Sequence, residues 1–179
     1  MRKKIYNEIK PINILNCGFK RFGGENDGGY LLCENYLKSL EVAYSYGISG
    51  EDRWGCEIAK SFQIPVYEYD CFDKSIPICE VSPFLKFNEE CLAGKLAEIE
   101  NRKYGTLEKH ISENKDNGKK LVLKLDIEGD EWEALRNTSK QNIEQILQMV
   151  VEFHDVENHL YRNLKISKFL FINSLILTF

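Results

Sequence analysis

The chain has 179 residues, of which 43% are apolar and 29% charged, as is typical of a globular domain that buries a sizeable core. Its formal net charge of -4 excludes a general electrostatic attraction to nucleic acid or to anionic membranes. No apolar run reaches the roughly 18 residues of a membrane span, and the basic N-terminus lacks the apolar core of a secretion signal. These features predict a single cytoplasmic domain over residues 1–179.

Six cysteines are spread along the chain at irregular spacings: Cys17, Cys33, Cys56, Cys71, Cys79 and Cys91. None forms a CxxC pair, so a zinc site of that kind is not expected. In an intracellular chain of this size, such cysteines are expected to be reduced thiols that fill the core.

Residues 1–20 predict an N-terminal arm, in which Pro11 prevents a long helix. A glycine-rich segment follows from Gly23 to Gly29, with Asn26 and Asp27 between its glycines. One interpretation is a tight hairpin turn, because Asp-Gly is a hairpin signal. The other is a wall of a ligand site, because glycine allows close approach of the backbone. One loop can serve both purposes.

A short β-rich run over Val42–Tyr46 predicts the first strand of a parallel sheet. It ends at a glycine loop with the spacing Gly47-x-x-Gly50, and a helix is expected from 53 to 62. The next strand, over residues 64–70, ends in Asp70. This residue lies 20 positions after Gly50, the usual distance for an acid that binds ribose hydroxyls.

The segment from 71 to 100 has a less regular pattern. It predicts a third short strand over residues 84–87 and a helix over 92–99. A second helix is expected to begin after Thr106, a suitable N-cap residue. His110 should lie on the exposed surface of that helix.

The apolar run from Leu121 to Ile127 predicts a buried strand that ends among acids. Asp126 and Glu128 lie at the end of this apolar run. A helix is expected to follow and to run to about residue 136. The next strand, over 149–154, carries Glu152 and His154 on one face. His154 is therefore a candidate general base that Asp126 orients. Alternatively, Asp126, Glu128 and His154 hold a divalent cation, Mg²⁺ or Mn²⁺.

This alternation of strands and helices predicts an α/β fold of the Rossmann-like, doubly wound type, with a mostly parallel sheet and helices on both faces. The first glycine loop lacks the full phosphate-binding signature. A cofactor with a ribose but no pyrophosphate, such as S-adenosyl-L-methionine, therefore fits better than NAD. A nicotinamide-dependent oxidoreductase is the disfavoured alternative.

Several motifs in this order resemble the FkbM-like family of methyltransferases over about residues 20–160. They are RFGGENDGGYLLC, AYSYGISGEDRWGCEIA, VYEYD, LKLDIEGDEWEAL and VVEFH. The resemblance implies a class I S-adenosylmethionine-dependent enzyme that methylates a hydroxyl of a sugar or nucleotide sugar in polysaccharide or capsule biosynthesis. It also implies roles for residues at the cofactor: Tyr46, Gly47 and Gly50 would line it, Asp70 would hold its ribose, and Asp27, Gly28 and Gly29 would close beside its methionine end.

The sequence departs from that family after His154. Two further strands usually follow, whereas residues 160–179 form an atypical apolar segment. We therefore expect the closing strand pair to be missing, which would leave a sheet edge to be covered by the tail or by a second copy in a homo-oligomer. This departure supports an alternative function, a shortened and catalytically silent cofactor-binding or assembly subunit.

Overall fold

A computed structural model of the chain describes residues 14–155. Most of the predicted N-terminal arm, the apolar segment 160–179 and the expected loss of the closing strand pair lie outside the described residues. Within residues 14–155, no helix has the length and apolar character needed to cross a membrane.

A β-hairpin opens the described part of the chain. Strands β1 (Phe19–Gly23) and β2 (Gly29–Cys33) pair antiparallel, with Gly23 opposite Gly29. The turn is tight: a Cβ on Gly29 would lie 1.8 Å from the carbonyl oxygen of Gly24. The hairpin interpretation of this glycine-rich segment is therefore confirmed.

The remaining elements follow in chain order. They are β3 (Val42–Tyr46), α1 (Arg53–Phe62), β4 (Val66–Tyr69), β5 (Leu85–Asn88), β6 (Cys91–Leu92), β7 (Ala97–Ile99), β8 (Arg102–Gly105), α2 (Leu107–Glu113), β9 (Leu121–Leu125), α3 (Glu131–Asn137), α4 (Lys140–Gln145) and β10 (Ile146–Val151).

A five-stranded sheet forms the centre of the fold, with all its strands parallel and in the order β10-β9-β3-β4-β5. Every residue of β3, β4 and β9 is buried, because helices or the hairpin cover both faces of the sheet. The chain runs outward from β3 through β4 to β5 and then returns to the other side of β3 as β9. A topological switch point therefore lies between β3 and β9.

Helices flank this sheet on both faces, as expected. On one face, Trp54 and Ile58 of α1 pack with Phe22 and Leu32 of the hairpin. The side chain of Asp52 caps α1 by accepting a hydrogen bond from the Gly55 amide at 2.8 Å. On the other face, apolar residues of α2 and α3 pack on β3 and β9. This mixed α/β architecture is compatible with the Rossmann-like expectation.

His110 is buried in the core, so its expected place on the surface is wrong. Its ring stacks on Tyr69 at 4.2 Å, and its Nδ1 lies 3.0 Å from the hydroxyl of Tyr46. The helix itself was predicted correctly, since Thr106 caps it through the amide of Lys109. The sequence pattern around His110 did not reveal the wall of tyrosines on β3 and β4 against which this helix packs.

The expected helix over residues 92–99 is also wrong. This segment contributes β6 and β7 to a three-stranded sheet with β8. Leu96 and Ile99 are largely exposed, so their spacing does not create the buried apolar stripe that would stabilise a helix. The third short strand was correctly expected and appears as β5.

The expectation of reduced cysteines is contradicted. The six cysteines form three disulfides, Cys17–Cys33, Cys56–Cys79 and Cys71–Cys91, with Cα atoms 5.1, 5.8 and 5.0 Å apart. Irregular spacing concealed these pairs because each bridge joins segments that only the tertiary fold brings together. Disulfides are typical of oxidising compartments, so the cysteine argument no longer supports a cytoplasmic location.

Replacing Cys71 and Cys91 together by serine should lower the free energy of unfolding by about 3 kcal/mol, because the bridge restricts the unfolded chain. Chemical denaturation monitored by circular dichroism measures this change. Mass spectrometry of unreduced peptides should recover the three pairs. Six free thiols in the freshly isolated protein would contradict the pairing.

His110 should make stability fall in mild acid. Burial lowers the pKa of His110 from 6.5 to about 4, outweighing the opposing charge of Glu90, so the unfolded chain binds a proton that the folded chain does not. The contribution is fully present above pH 6.5 and is lost as the pH falls toward about 4, by an amount on the order of 3 kcal/mol. In denaturation series across this range, His110→Gln should lose correspondingly less stability than the wild type. Parallel curves for the two proteins would contradict this assignment.

Candidate active site at the carboxyl edge of the sheet

Four adjacent strands end at one edge of the sheet. The residues that directly follow them, in spatial order, are Glu152, Asp126, Gly47 and Asp70. Hydrogen bonds between neighbouring backbones continue past the strands: the Gly47 amide donates to the carbonyl of Tyr69 at 3.1 Å, and the Asp126 amide to that of Tyr46 at 3.2 Å. The strand ends are thus held in register, and their side chains are brought together.

Gly47 is the closest point of contact between β3 and β9. Its φ is +73°, and a Cβ built on it would lie 1.6 Å from the carbonyl oxygen of Asp126. No other residue type fits this position without moving one of the two strands. Gly50, the second glycine of the loop, also has a positive φ, +76°. The glycine loop predicted from the sequence therefore exists and lies directly at the switch point.

Asp70 shapes this loop from the neighbouring strand. One carboxylate oxygen accepts the amides of Ile48 and Ser49 at 3.1 and 2.9 Å. The other accepts those of Phe72 and Asp73 at 2.8 and 3.0 Å. A carboxylate has about four acceptor positions, so the protein backbone itself fills those of Asp70.

His154 lies among acids that come from two strand ends. Its Nε2 atom lies 3.9 Å from Asp126, 3.7 Å from Glu128 and 3.9 Å from Glu152. These separations are too long for direct hydrogen bonds. They leave space in which an ion or a substrate hydroxyl can contact several of these groups at once.

Glu131 fixes the orientation of the His154 ring. Its carboxylate is fully buried and lies 3.0 Å from Nδ1 of His154. It also accepts the amides of Ile127 and Gly129, which shapes the turn between β9 and α3. An ionised carboxylate only accepts hydrogen bonds, so Nδ1 carries the proton and Nε2 faces the other acids.

Electrostatics at the cluster favour the positively charged form of His154. Partial burial lowers its pKa, but the hydrogen bond to Glu131 and the charges of Glu131, Glu128 and Asp126 outweigh that effect and raise it. The pKa of Glu152 is raised, first by burial and then by the charge of Asp126. The site therefore has surplus negative charge, which a cation can neutralise.

Asp126, Glu152 and His154 have the arrangement expected of a metal site. One ligand atom from each lies within 4.8 Å of the other two. Two carboxylates and an imidazole suit Mn²⁺, and metal-binding histidines commonly donate their other ring N–H to a carboxylate, as His154 does to Glu131. Glu128 lies near His154, but its side chain is 87% exposed. The structure thus groups Glu152 with two of the three predicted ligands, Asp126 and His154, and not with the third, Glu128.

A cavity of about 490 Å³, within the range of small-molecule sites, is lined by none of the three residues Asp126, Glu152 and His154. The hairpin turn, the N-terminus of α1 and β9 form its walls: Gly24, Glu25, Asn26, Asp27, Gly28, Glu51, Asp52, Arg53 and Lys124. Tyr30 connects it to the acids, because its hydroxyl donates to Asp126 at 3.1 Å. Burial and then the charge of Asp126 raise the pKa of Tyr30, so this hydroxyl stays protonated.

Most of the predicted site residues meet at this edge: Tyr46, Gly47, Gly50 and Asp70 around the loop, Asp126, Glu128 and His154 in the acidic cluster, and Asp27 and Gly28 at the cavity. Tyr46 differs in the direction of its side chain, which is fully buried against His110 rather than lining the cavity. Gly29 serves the hairpin turn and is absent from the cavity wall.

The sequence did not predict a role for Glu152 or Lys124, or the contact of Glu131 with His154. A signal existed for Glu152, which lies two residues before His154 in the sequence, and for Lys124, a charged residue inside an apolar strand. No comparable signal marked Glu131 as the partner of His154.

Comparisons of this chain with models of protein families, with curated proteins and with solved structures find no match.

We expect Mn²⁺ to bind at Asp126, Glu152 and His154, as measured by isothermal titration calorimetry. Glu152→Gln removes a ligand charge and should weaken binding about tenfold or more. Glu128→Gln is the matched control, since an exposed carboxylate contributes little, and should change the affinity by less than about threefold. Equal losses in both variants would contradict this ligand set.

Proposed function

We propose that the chain is an S-adenosyl-L-methionine-dependent methyltransferase of class I fold that methylates a sugar hydroxyl. The observation that carries the proposal is the meeting of the Gly47–Gly50 loop with the Asp126–His154 cluster at the switch point of a parallel sheet. In open α/β sheets, ligands bind in the crevice outside the carboxyl ends of the strands at this point. The motif resemblance to FkbM-like enzymes supports the same assignment.

In this proposal the adenosyl part lies over the glycine loop. Gly47 and Gly50 shape this loop through their positive φ angles of +73° and +76°. Asp70 shapes the loop, since its carboxylate accepts four amides. The ribose hydroxyls then need another acceptor. Asp73 offers one, because its Oδ2 atom lies 2.8 Å from the position that a Cβ on Gly50 would take.

The methionine end is directed toward the cavity below the hairpin turn. Asp27 and Gly28 line this cavity together with Lys124. The Nζ atom of Lys124 donates to the carbonyls of Tyr46 and Gly47, at 3.3 and 2.9 Å, which leaves one N–H for a ligand. Lys124 thereby joins the floor of the cavity to the glycine loop.

The acceptor hydroxyl lies between Asp126 and His154. When bound, S-adenosylmethionine supplies an electrophilic methyl group on a sulfonium sulfur. Glu131 holds the proton on Nδ1 of His154, so in the neutral form of the ring Nε2 accepts the proton of the attacking hydroxyl. Tyr30 holds Asp126 in place. Fixed placement of the acceptor supplies the alignment that an in-line displacement requires.

A divalent cation is the alternative occupant of the space beside Nε2. Asp126, Glu152 and His154 would hold it, and it would bind and polarise vicinal hydroxyls of a sugar. Nε2 cannot be a metal ligand and a general base at the same time. Measured Mn²⁺ affinity therefore decides between these two roles of His154.

The three disulfides support a location in an oxidising compartment rather than in the cytoplasm. The acceptors available there include sugars of glycans and polysaccharides, which agrees with the proposed substrate class. The sequence-based expectation of a cytoplasmic enzyme gives way to this proposal.

A catalytically silent subunit is the second candidate. It is favoured by Asp70, whose acceptor positions are filled by backbone amides and so are not available to a ribose. Such a subunit would bind the cofactor without methyl transfer or would not bind it at all.

His154→Ala should reduce methyl transfer by about 10²- to 10⁴-fold, because the general base or metal ligand is lost. Binding of S-adenosylhomocysteine should stay within about threefold of wild type, since this residue lies on the acceptor side. Radiolabelled methyl transfer to a panel of nucleotide sugars and glycans measures the first quantity, and calorimetry the second. Wild-type protein that binds the nucleoside but transfers no methyl group would support the silent subunit instead.

A further inference from the structure

A row of buried polar side chains crosses the sheet beneath the cavity. Lys124 of β9 is opposite Ser45 of β3, and Ser45 is opposite Glu68 of β4. Directly paired residues of neighbouring strands point to the same face, here the face covered by α1 and the hairpin. All three are at least 96% buried, with Ser45 at 0% and Glu68 at 1% exposed. Such a row is costly unless its members are paired.

Asp52 meets this row from the N-terminus of α1. It is 5% exposed and lines the cavity. Its Oδ1 caps the helix, whereas its Oδ2 accepts no hydrogen bond from an N–H, an alcohol hydroxyl or a cationic group of the described residues. Gly55 makes room for this atom, because a Cβ there would lie 2.3 Å from it.

Glu68 and Asp52 are neighbouring buried carboxyl groups. Burial raises the pKa of Glu68 to about 9, and the charge of Asp52 and the hydrogen bond to it add to this effect. At neutral pH the Glu68 hydroxyl therefore donates to Asp52. Two adjacent buried carboxylates cannot both be charged unless a cation accompanies them.

The cations near this pair are engaged elsewhere. Lys124 donates to two backbone carbonyls, and Arg53 pairs with Glu51 at 2.7 Å. The other charged side chains in the cavity wall are the acids Glu25 and Asp27, and Glu57 of α1 accepts the Gly23 amide. The β5 residue opposite Glu68 is Phe87, which is uncharged. The cavity thus has an excess of carboxylates on this side.

Two fully buried groups close to the pair also lack partners. Neither the hydroxyl of Ser45 nor the indole N–H of Trp54 makes a hydrogen bond within residues 14–155. Ser45 lies between Lys124 and Glu68 in the row, and Trp54 lies in the first turn after Asp52. Buried polar groups without partners mark places where a ligand or an ordered water completes the site.

We infer that this cavity holds the ammonium group of an amino-acid head group, with the buried carboxylate of Asp52 in the cavity wall as its acceptor. The inference rests on the proposed function, in which the head group is the methionine end of the cofactor. On binding, the ammonium group stays protonated and donates to Asp52, which lines the cavity and neighbours Glu68. Glu68 ionises, and its proton leaves to solvent, so that one positive charge enters as another departs.

The remaining N–H of Lys124 and the guanidinium of Arg53 lie on the same cavity wall and suit the carboxylate of that head group. A ligand with both charges can therefore contact opposite-charge partners in one cavity. A nucleoside that lacks the head group gains neither contact and displaces no proton.

The test compares S-adenosylhomocysteine with 5′-methylthioadenosine, which has the same nucleoside and thioether but no amino-acid head. Calorimetry at pH 7.5 in phosphate and in Tris buffer gives the number of protons exchanged, because the two buffers have different ionisation enthalpies. S-adenosylhomocysteine should release close to one proton, and methylthioadenosine none.

Two variants separate the pair from general effects on folding. Asp52→Asn keeps a good N-cap residue, and Glu68→Gln mimics the protonated acid. Each should lower the affinity for S-adenosylhomocysteine about tenfold or more. Glu68→Gln should also abolish proton release. Methylthioadenosine affinity should change by less than about threefold in both, which shows that the glycine loop is intact.

The outcomes are distinguishable. If S-adenosylhomocysteine binds without proton release and both variants leave its affinity unchanged, the inference is overturned and the proposed function stands. If the variants lower the affinity for both nucleosides equally, the pair acts only on folding, and the inference is again overturned. If neither nucleoside binds the wild-type protein, the proposed function fails and this inference fails with it.

Discussion

The contact between Gly47 and the backbone of Asp126 is the constraint on which the site depends. A Cβ at position 47 would overlap the Asp126 carbonyl, at 1.6 Å, so β3 and β9 approach this closely only because residue 47 is glycine. The approach brings the glycine loop of one strand beside the acid of the next. Amide-to-carbonyl hydrogen bonds extend the alignment to β4 and β10, including one from Glu152 to Leu125 at 2.9 Å. Loop, acids and histidine therefore share one edge because four strand ends are locked in register.

The two faces of the sheet carry different kinds of side chain. On the face covered by α2, tyrosines of β3 and β4 stack with His110 and form a rigid, tightly packed layer, as shown by the 4.8 Å separation of the Tyr46 and Tyr69 rings. On the opposite face, the corresponding strand positions carry Ser45, Glu68 and Lys124 in a buried polar row. Such a row costs stability, whereas an apolar layer contributes it. The polar face is also the one beneath the cavity, as expected if binding rather than folding determines its composition.

The sequence was sufficient where the information is local. The apolar runs of β3, β4 and β9, the capped helices α1 and α2, and the Asp27-Gly28 turn are each specified by a few adjacent residues, and each was predicted. Contacts between distant segments were not predictable in this way. Tyr30 and Asp126 are 96 positions apart, the disulfides join segments with no pairing signal, and the surroundings of His110 depend on strands far along the chain. The position of Asp70 was foreseen from its spacing, but not that four backbone amides would occupy its carboxylate.

A crystal structure of the wild-type protein with S-adenosylhomocysteine tests the central claim most directly. The account predicts that the nucleoside lies over Gly47 and Gly50, that the amino-acid head reaches Asp52 and Lys124, and that the sulfur faces His154 across the crevice between β3 and β9. A nucleoside bound away from this edge, or Asp126 and His154 turned into bulk solvent, would contradict it.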